Sequence, residues 1–130
     1  MKTRFHIRLS QSVLDDLKLR LEMARWPDTV DISDWNYGTN LAYLKDLVSY
    51  WLHDFDWRQQ EQRLNQFHHY QALIGGLKIH FIHEPGKGPH PLPIVLTHGW
   101  PSSFYEMSKI IPLLVDPAGH GGDAADALTW

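Results

Sequence analysis

The chain has 130 residues, enough for one domain or part of a larger one, and its 43% hydrophobic and 21% charged content is globular rather than disordered. A net charge of −3, with twelve scattered Lys and Arg, gives no electrostatic footprint for nucleic acid. The lack of cysteine excludes disulfides, thiolate metal sites and a thiol nucleophile, and no apolar run nears the roughly 20 residues that span a bilayer. The first eight residues, Met1 to Arg8, lack the apolar core of a signal peptide, so the cytoplasm is the default location and no membrane partner is expected.

Phe5, Ile7 and Leu9 alternate with His6 and Arg8, which predicts a short strand with one buried face. Ser10 or Ser12 is placed to cap the next helix, with Asp15 and Asp16 expected in its first turn, where the dipole favours acids. Val13, Leu14, Leu17 and Leu21 form its apolar stripe, and Pro27 is expected to end it within a residue or two of Trp26. Residues 27–39 lack periodicity and read as loop.

Leu41, Leu44, Val48, Trp51, Leu52 and Phe55 then step by three and four, the pattern of a helix with one wide apolar face, and Asn40 is its cap. Asp56-Trp57-Arg58 interrupts the run, and a shorter helix holding Leu64 follows to about Phe67. These helices show more apolar face than a lone pair buries.

From Tyr70 the period changes to two. Tyr70, Ala72 and Ile74, then Gly75-Gly76, then Leu77, Ile79 and Phe81 predict a β-hairpin with a primed turn. Pro85 to Pro93 is a loop, and Ile94-Val95-Leu96 reads as a central strand covered on both faces. Ser103 and Glu106 form a capping box for a helix that Pro112 kinks or restarts near Ile110-Ile111. Asp116-Pro117 ends it, residues 119–122 are loop, and Ala127 to Trp130 begins another strand.

The chemistry concentrates at His98-Gly99-Trp100-Pro101, between the apolar run and the capped helix. Trp100–Pro101 is a candidate cis bond, and Gly99 is expected to take a backbone conformation that a Cβ resists. Such a turn aims the Trp100 N–H into a pocket, where it stabilises an oxyanion. The competing interpretation is an ordinary strand-to-helix turn with Pro near the helix start. His98 reads as turn support, because no hydroxyl nucleophile with a partner base lies near it in sequence.

Other groups carry weaker signals. His80 and His83, three apart, and His68 and His69, adjacent, point to opposite faces of extended chain, so neither pair chelates and no metal is expected. Asp123 and Asp126 lie in a Gly/Ala-rich stretch without a Gly-x-Asp-x-Gly elbow and read as solvated loop. Gly86-Lys87-Gly88 is too short for a phosphate loop, and no cofactor motif appears. Trp51, Phe55, Trp57, Phe67 and Tyr70 read as core or interface packing.

The stretches Tyr43 to Trp51 and Phe55 to Asn65, with Gly76 to His83, the 98–101 turn, and Asp116-Pro117-Ala118 with Gly121-Gly122-Asp123, resemble the N-terminal region of microsomal-type epoxide hydrolases, in register over nearly the whole chain. The resemblance implies an α/β fold: a helical meander over 1–69, then over 70–130 a hairpin, central strand, oxyanion turn and first helix of an α/β-hydrolase core, cut before the nucleophile elbow. It further implies opening of an epoxide by an aspartate, and hydrolysis of the ester by water activated by a His–acid pair. Carried over, Trp100 is the oxyanion N–H, with His98, Gly99 and Pro101 supporting the turn. In similar enzymes the nucleophile, the tyrosines that polarise the epoxide oxygen, the relay acid and the His lie beyond the position matching Trp130. His68 stands where those enzymes tend to have proline, and the hydrophobic anchor of the membrane-bound animal enzymes is absent.

The chain is therefore expected to be the N-terminal part of an epoxide hydrolase, inactive alone, whose substrate in the complete enzyme is a small-molecule epoxide. Its partners are the remainder of the hydrolase, or further copies through exposed apolar faces. The alternatives are a non-catalytic module docking on a separate hydrolase chain, and another hydrolase activity such as an esterase or dehalogenase.

Overall fold

A computed structural model describes residues 2–29 and 34–130; positions 30–33 of the expected 27–39 loop lie outside the described residues. The chain divides into two compact units, Arg8–Gln62 and Met1–Ile7 with Arg63–Trp130.

Arg8–Gln62 holds helices α1 (Gln11–Glu22) and α2 (Leu41–His53), and α3 (Trp57–Leu64) begins in it. Leu14 of the α1 stripe is buried, Leu17 and Leu21 are half-buried, and Val13 is exposed. Ser10 occupies the cap position, but its hydroxyl pairs with Ser12 Oγ at 2.9 Å instead of a backbone N–H. Asp15 and Asp16 fall one turn beyond the first, where Asp15 accepts from Gln11 and Asp16 pairs with Arg20 at four-residue spacing. The helix ends at Glu22, before Pro27 acts: Met23 is largely exposed and gains nothing from continuing, and Ala24 N–H tightens onto the Leu21 carbonyl.

In α2, Asn40 caps as its position suggests, its side chain accepting from Tyr43 N–H at 3.0 Å. Leu41, Leu44, Val48, Leu52 and Phe55 are half-buried, while Tyr43, Leu47, Tyr50 and Trp51 form an exposed second apolar stripe. Asp56 breaks the run because its carboxylate caps α3 through Gln59 N–H at 3.0 Å.

The second unit is built on a three-stranded antiparallel sheet, in the order β1 (Lys2–Arg4), β2 (His69–Ile74), β3 (Leu77–Ile82). The hairpin pairs Ile74 with Leu77 across Gly75 and Gly76, whose φ values of +56° and +82° are those a type I′ turn demands. The N-terminal strand lies at 2–4 instead of 5–9. Phe5 and Ile7 do alternate inward against exposed His6 and Arg8, but Ile7 is hydrogen-bonded by the Asn65 side chain rather than by a strand, so no ladder forms there.

β4 (Leu92–Pro93) and β5 (Leu128–Thr129) pair in parallel. The expected central strand at 94–96 does not form. Ile94 N–H still reaches Thr129 O at 2.9 Å, but Trp130 pairs with Glu84, leaving Val95 without a backbone partner among the described residues and 89% exposed. Ser103 opens a 3-10 turn (Phe104–Met107) in place of the expected α-helix, its hydroxyl accepting from Tyr105 N–H. Pro112 restarts the chain as α4 (Ile111–Val115), whose Ile111 and Val115 form a core with Ile82, flanked by Phe67, Phe104, Met107 and Trp130.

Gly86 and Gly88 have steric duties. A Cβ on Gly86 would stand 2.6 Å from the Leu128 carbonyl oxygen, and one on Gly88 2.2 Å from that of Ala124. The loop between them is tied down by Gly86 N–H to Thr129 Oγ1 at 3.1 Å and by the Lys87–Asp116 ion pair at 2.8 Å.

Candidate functional site

Residues 99–102 fold as a β-turn with the cis Trp100–Pro101 bond at its centre, closed by Ser102 N–H donating to Gly99 O at 2.9 Å. His98 Nδ1 lies 3.2 Å from the same carbonyl. Trp100 projects into solvent, 96% exposed, and among the described residues its backbone N–H donates to no acceptor. Gly99 departs from expectation: its φ lies outside the left-handed region and a Cβ would meet nothing within 4 Å. The cis bond bends the chain here without help from glycine's freedom.

Beside the turn lies an apolar cavity of about 590 Å³, lined by Ile79, Phe81, Val95, His98, Phe104 and Met107 among others. His98 borders it; Gly99, Trp100 and Pro101 do not. The structure thus brings His98, the residue before the turn, to the cavity and leaves Gly99, Trp100 and Pro101 outside its lining.

Sequence spacing missed a pairing of histidines across strands. His69, 2% exposed, places Nδ1 3.0 Å from His80 Nε2, and its own Nε2 donates to Leu64 O at 2.7 Å. Hairpin register is the signal that could have found it: His69 opposes Ile82 and Gln71 opposes His80, so both imidazoles lie on one face. Burial, then the neighbouring His69, hold the His80 imidazole below the ordinary histidine value. Among the described residues no group of three or more His, Asp or Glu converges to hold a metal. Asp123 caps a short turn through Ala125 N–H at 2.9 Å, and Asp126 stays exposed.

The aromatic and polar residues of α3 have structural work. In the first unit, buried Glu61 accepts from Leu9 N–H at 2.7 Å, from Trp57 Nε1 at 3.0 Å and from Arg58 Nη1 at 2.7 Å. The Leu9 N–H foremost, then Arg58, hold its carboxyl below the usual carboxylate range. Arg58 also donates to Leu9 O at 2.9 Å, so both backbone groups of Leu9 are satisfied by side chains. Trp51, Phe55 and Trp57 line a groove of about 310 Å³ in the same unit, with Leu14, Leu17 and Leu21. In the other unit Phe67 flanks the Ile82–Ile111–Val115 core, and Tyr70 stacks on Phe81 with its hydroxyl accepting from Arg4 at 2.9 Å.

Comparison with known proteins follows the same lines. Residues 2–107 match the family model described as epoxide hydrolase N terminus. A Stigmatella aurantiaca protein assigned as an epoxide hydrolase is 50% identical over 96% of this chain and 28% of its own length. Rabbit (Oryctolagus cuniculus) epoxide hydrolase 1 is 44% identical over 90% of this chain and 27% of its own. The Aspergillus niger epoxide hydrolase structure superposes with a TM-score of 0.81 at 32% identity, covering 90% of this chain and 31% of that one. The chain therefore spans about a quarter to a third of the length of the relatives it matches.

Proposed function

The chain belongs to the epoxide hydrolase family, as its N-terminal region, and from that premise we propose that it furnishes the oxyanion donor of a site converting epoxides to vicinal diols. In this reading an aspartate carboxylate outside these residues attacks an epoxide carbon. The C–O bond breaks, the ring oxygen takes a proton from a tyrosine hydroxyl that also lies outside these residues, and a hydroxyalkyl ester forms. Water, activated by a His–acid pair also outside these residues, then attacks the ester carbonyl, and the Trp100 N–H donates to the oxygen as it gains charge.

The observation that carries the reading is the uncommitted Trp100 N–H in a turn closed by Gly99 and Ser102. A backbone donor fixed in this way needs no reorganisation as charge develops, which is what an oxyanion hole requires. The exposed apolar side chains of Leu73, Ile74, Leu77 and Val95 fit the same reading, as surfaces that the remainder of a hydrolase sheet covers.

The test is diol formation from a simple aryl epoxide. The 130-residue chain alone is expected to give none, and the same chain joined to the remaining part of its Stigmatella aurantiaca relative is expected to give diol. Diol from the isolated chain, or an inactive but folded fusion, would overturn the reading.

A further inference from the structure

The groups the hydrolase chemistry leaves unused include one titratable pair, buried His69 and half-buried His80, the latter also bordering the apolar cavity. The Leu64 carbonyl only accepts, so His69 carries a hydrogen on Nε2. With both rings neutral, His69 Nδ1 is then an acceptor and His80 Nε2 the donor across 3.0 Å. The chain of bonds runs from the last residue of α3, through β2, to β3. Phe104 closes over it, its ring centroid 5.5 Å from His69 and 5.1 Å from His80, and Phe5 packs edge-on against His80 at 5.2 Å.

We infer that the His69–His80 pair is a proton-sensitive latch, holding the end of α3, the hairpin and the Phe104 turn together while neutral and loosening them as the solution turns mildly acidic. Two protonated rings would face N–H to N–H at this separation, so the pair keeps its contact with one added proton at most. Even that proton is a charge packed against the Phe5 and Phe104 rings, with no carboxylate partner among the described residues. On β2 the residue opposite His80 is neutral Gln71, and on β3 the charged group sharing the face is Lys78, which opposes a second cation. From α3 come the Leu64 carbonyl, which favours a proton on His69, and the exposed Arg63; from the 3-10 turn comes Glu106, which is exposed. Beyond β1, the contact is Phe5. The depressed His80 proton affinity agrees in sign: the unfolded chain takes up a proton near 6.5 that the folded chain refuses, so stability falls as pH drops below that value. The inference goes beyond the oxyanion reading and stands without it.

Hydrogen–deuterium exchange of the full chain at about pH 7.5 and about pH 5.5, corrected for intrinsic rates, reads the latch directly. Segments 64–70 and 102–108 are expected to lose protection on acidification by up to about tenfold, the ceiling for one histidine that takes up a proton near 6.5 only when unfolded, while α2 keeps its protection. His80→Gln, whose amide still donates but does not titrate, is expected to cancel most of that change. If His80→Gln does not fold, histidine side-chain NMR of the unaltered chain decides: His80 should titrate below the ordinary histidine value of 6.5. Equal protection at both pH values, equal losses in both proteins, or a His80 that titrates at or above the ordinary histidine value would overturn the inference.

Discussion

Asn65 closes both backbone groups of Ile7, accepting its N–H on Oδ1 at 2.9 Å and donating Nδ2 to its carbonyl at 2.8 Å. One side-chain amide thus does for an extended residue what a neighbouring strand does in a sheet. Replacing Asn65 with Leu orphans a donor and an acceptor in a half-buried setting, at a cost of about 1–3 kcal/mol each where water does not reach them. Asn65→Asp keeps the acceptor and loses the donor, so its midpoint in urea denaturation should fall between those of the native chain and Asn65→Leu. Equal midpoints for all three would show that the clamp contributes nothing.

Glu61 makes acid stability a local property of the Arg8–Gln62 unit. Its carboxyl is held below the ordinary 4.5, foremost by Leu9 N–H and next by Arg58. A lowered folded-state value means that the stabilisation is full above the unfolded value and lost as pH falls from there through the folded one. Melting followed by circular dichroism from pH 6 downward should show this loss, and Glu61→Gln should melt lower at pH 6 with a flatter acid limb. Parallel acid limbs would assign the loss to other carboxylates.

Two substitutions at Trp100 separate its amide from its indole. Trp100→Ala keeps the N–H and trims an exposed side chain, so stability should move by no more than about 0.5 kcal/mol. Trp100→Pro removes the donor; in the fusion described above, kcat should fall by about 10²–10³-fold, the usual loss for one oxyanion donor. Mass spectrometry of the trapped enzyme should then show the ester accumulating. A Pro variant as fast as the Ala variant would take the amide out of the mechanism.

The glycines give a sharper contrast than their spacing suggests. Gly88→Ala forces a Cβ to 2.2 Å from the Ala124 carbonyl oxygen, so that segment must move, and a loss in the range of about 1–3 kcal/mol is expected. Gly99→Ala meets nothing within 4 Å and needs no unusual φ, so it should be neutral or stabilising by up to about 1 kcal/mol. Thermal melts of the two variants check both signs.

What could be read from the chain is what neighbours in sequence decide. Gly75-Gly76 between alternating runs sets the hairpin register, Asn40 caps α2, Pro112 restarts a helix, and Trp100–Pro101 is cis. Each depends on contacts within a few residues, where backbone preference and hydrogen bonding act without distant help.

Tertiary structure decided whatever required a partner from afar. The alternation at Phe5 and Ile7 gave the inward face but not that Asn65, 58 residues on, would replace a strand. Ile94 to Leu96 has the composition of a buried strand, yet a strand exists only where another backbone offers hydrogen bonds, and β5 offers two residues. His69 and His80 look unrelated in sequence until the hairpin folds them face to face, and burial beside His69 then lowers the proton affinity of His80 as no peptide containing it would show.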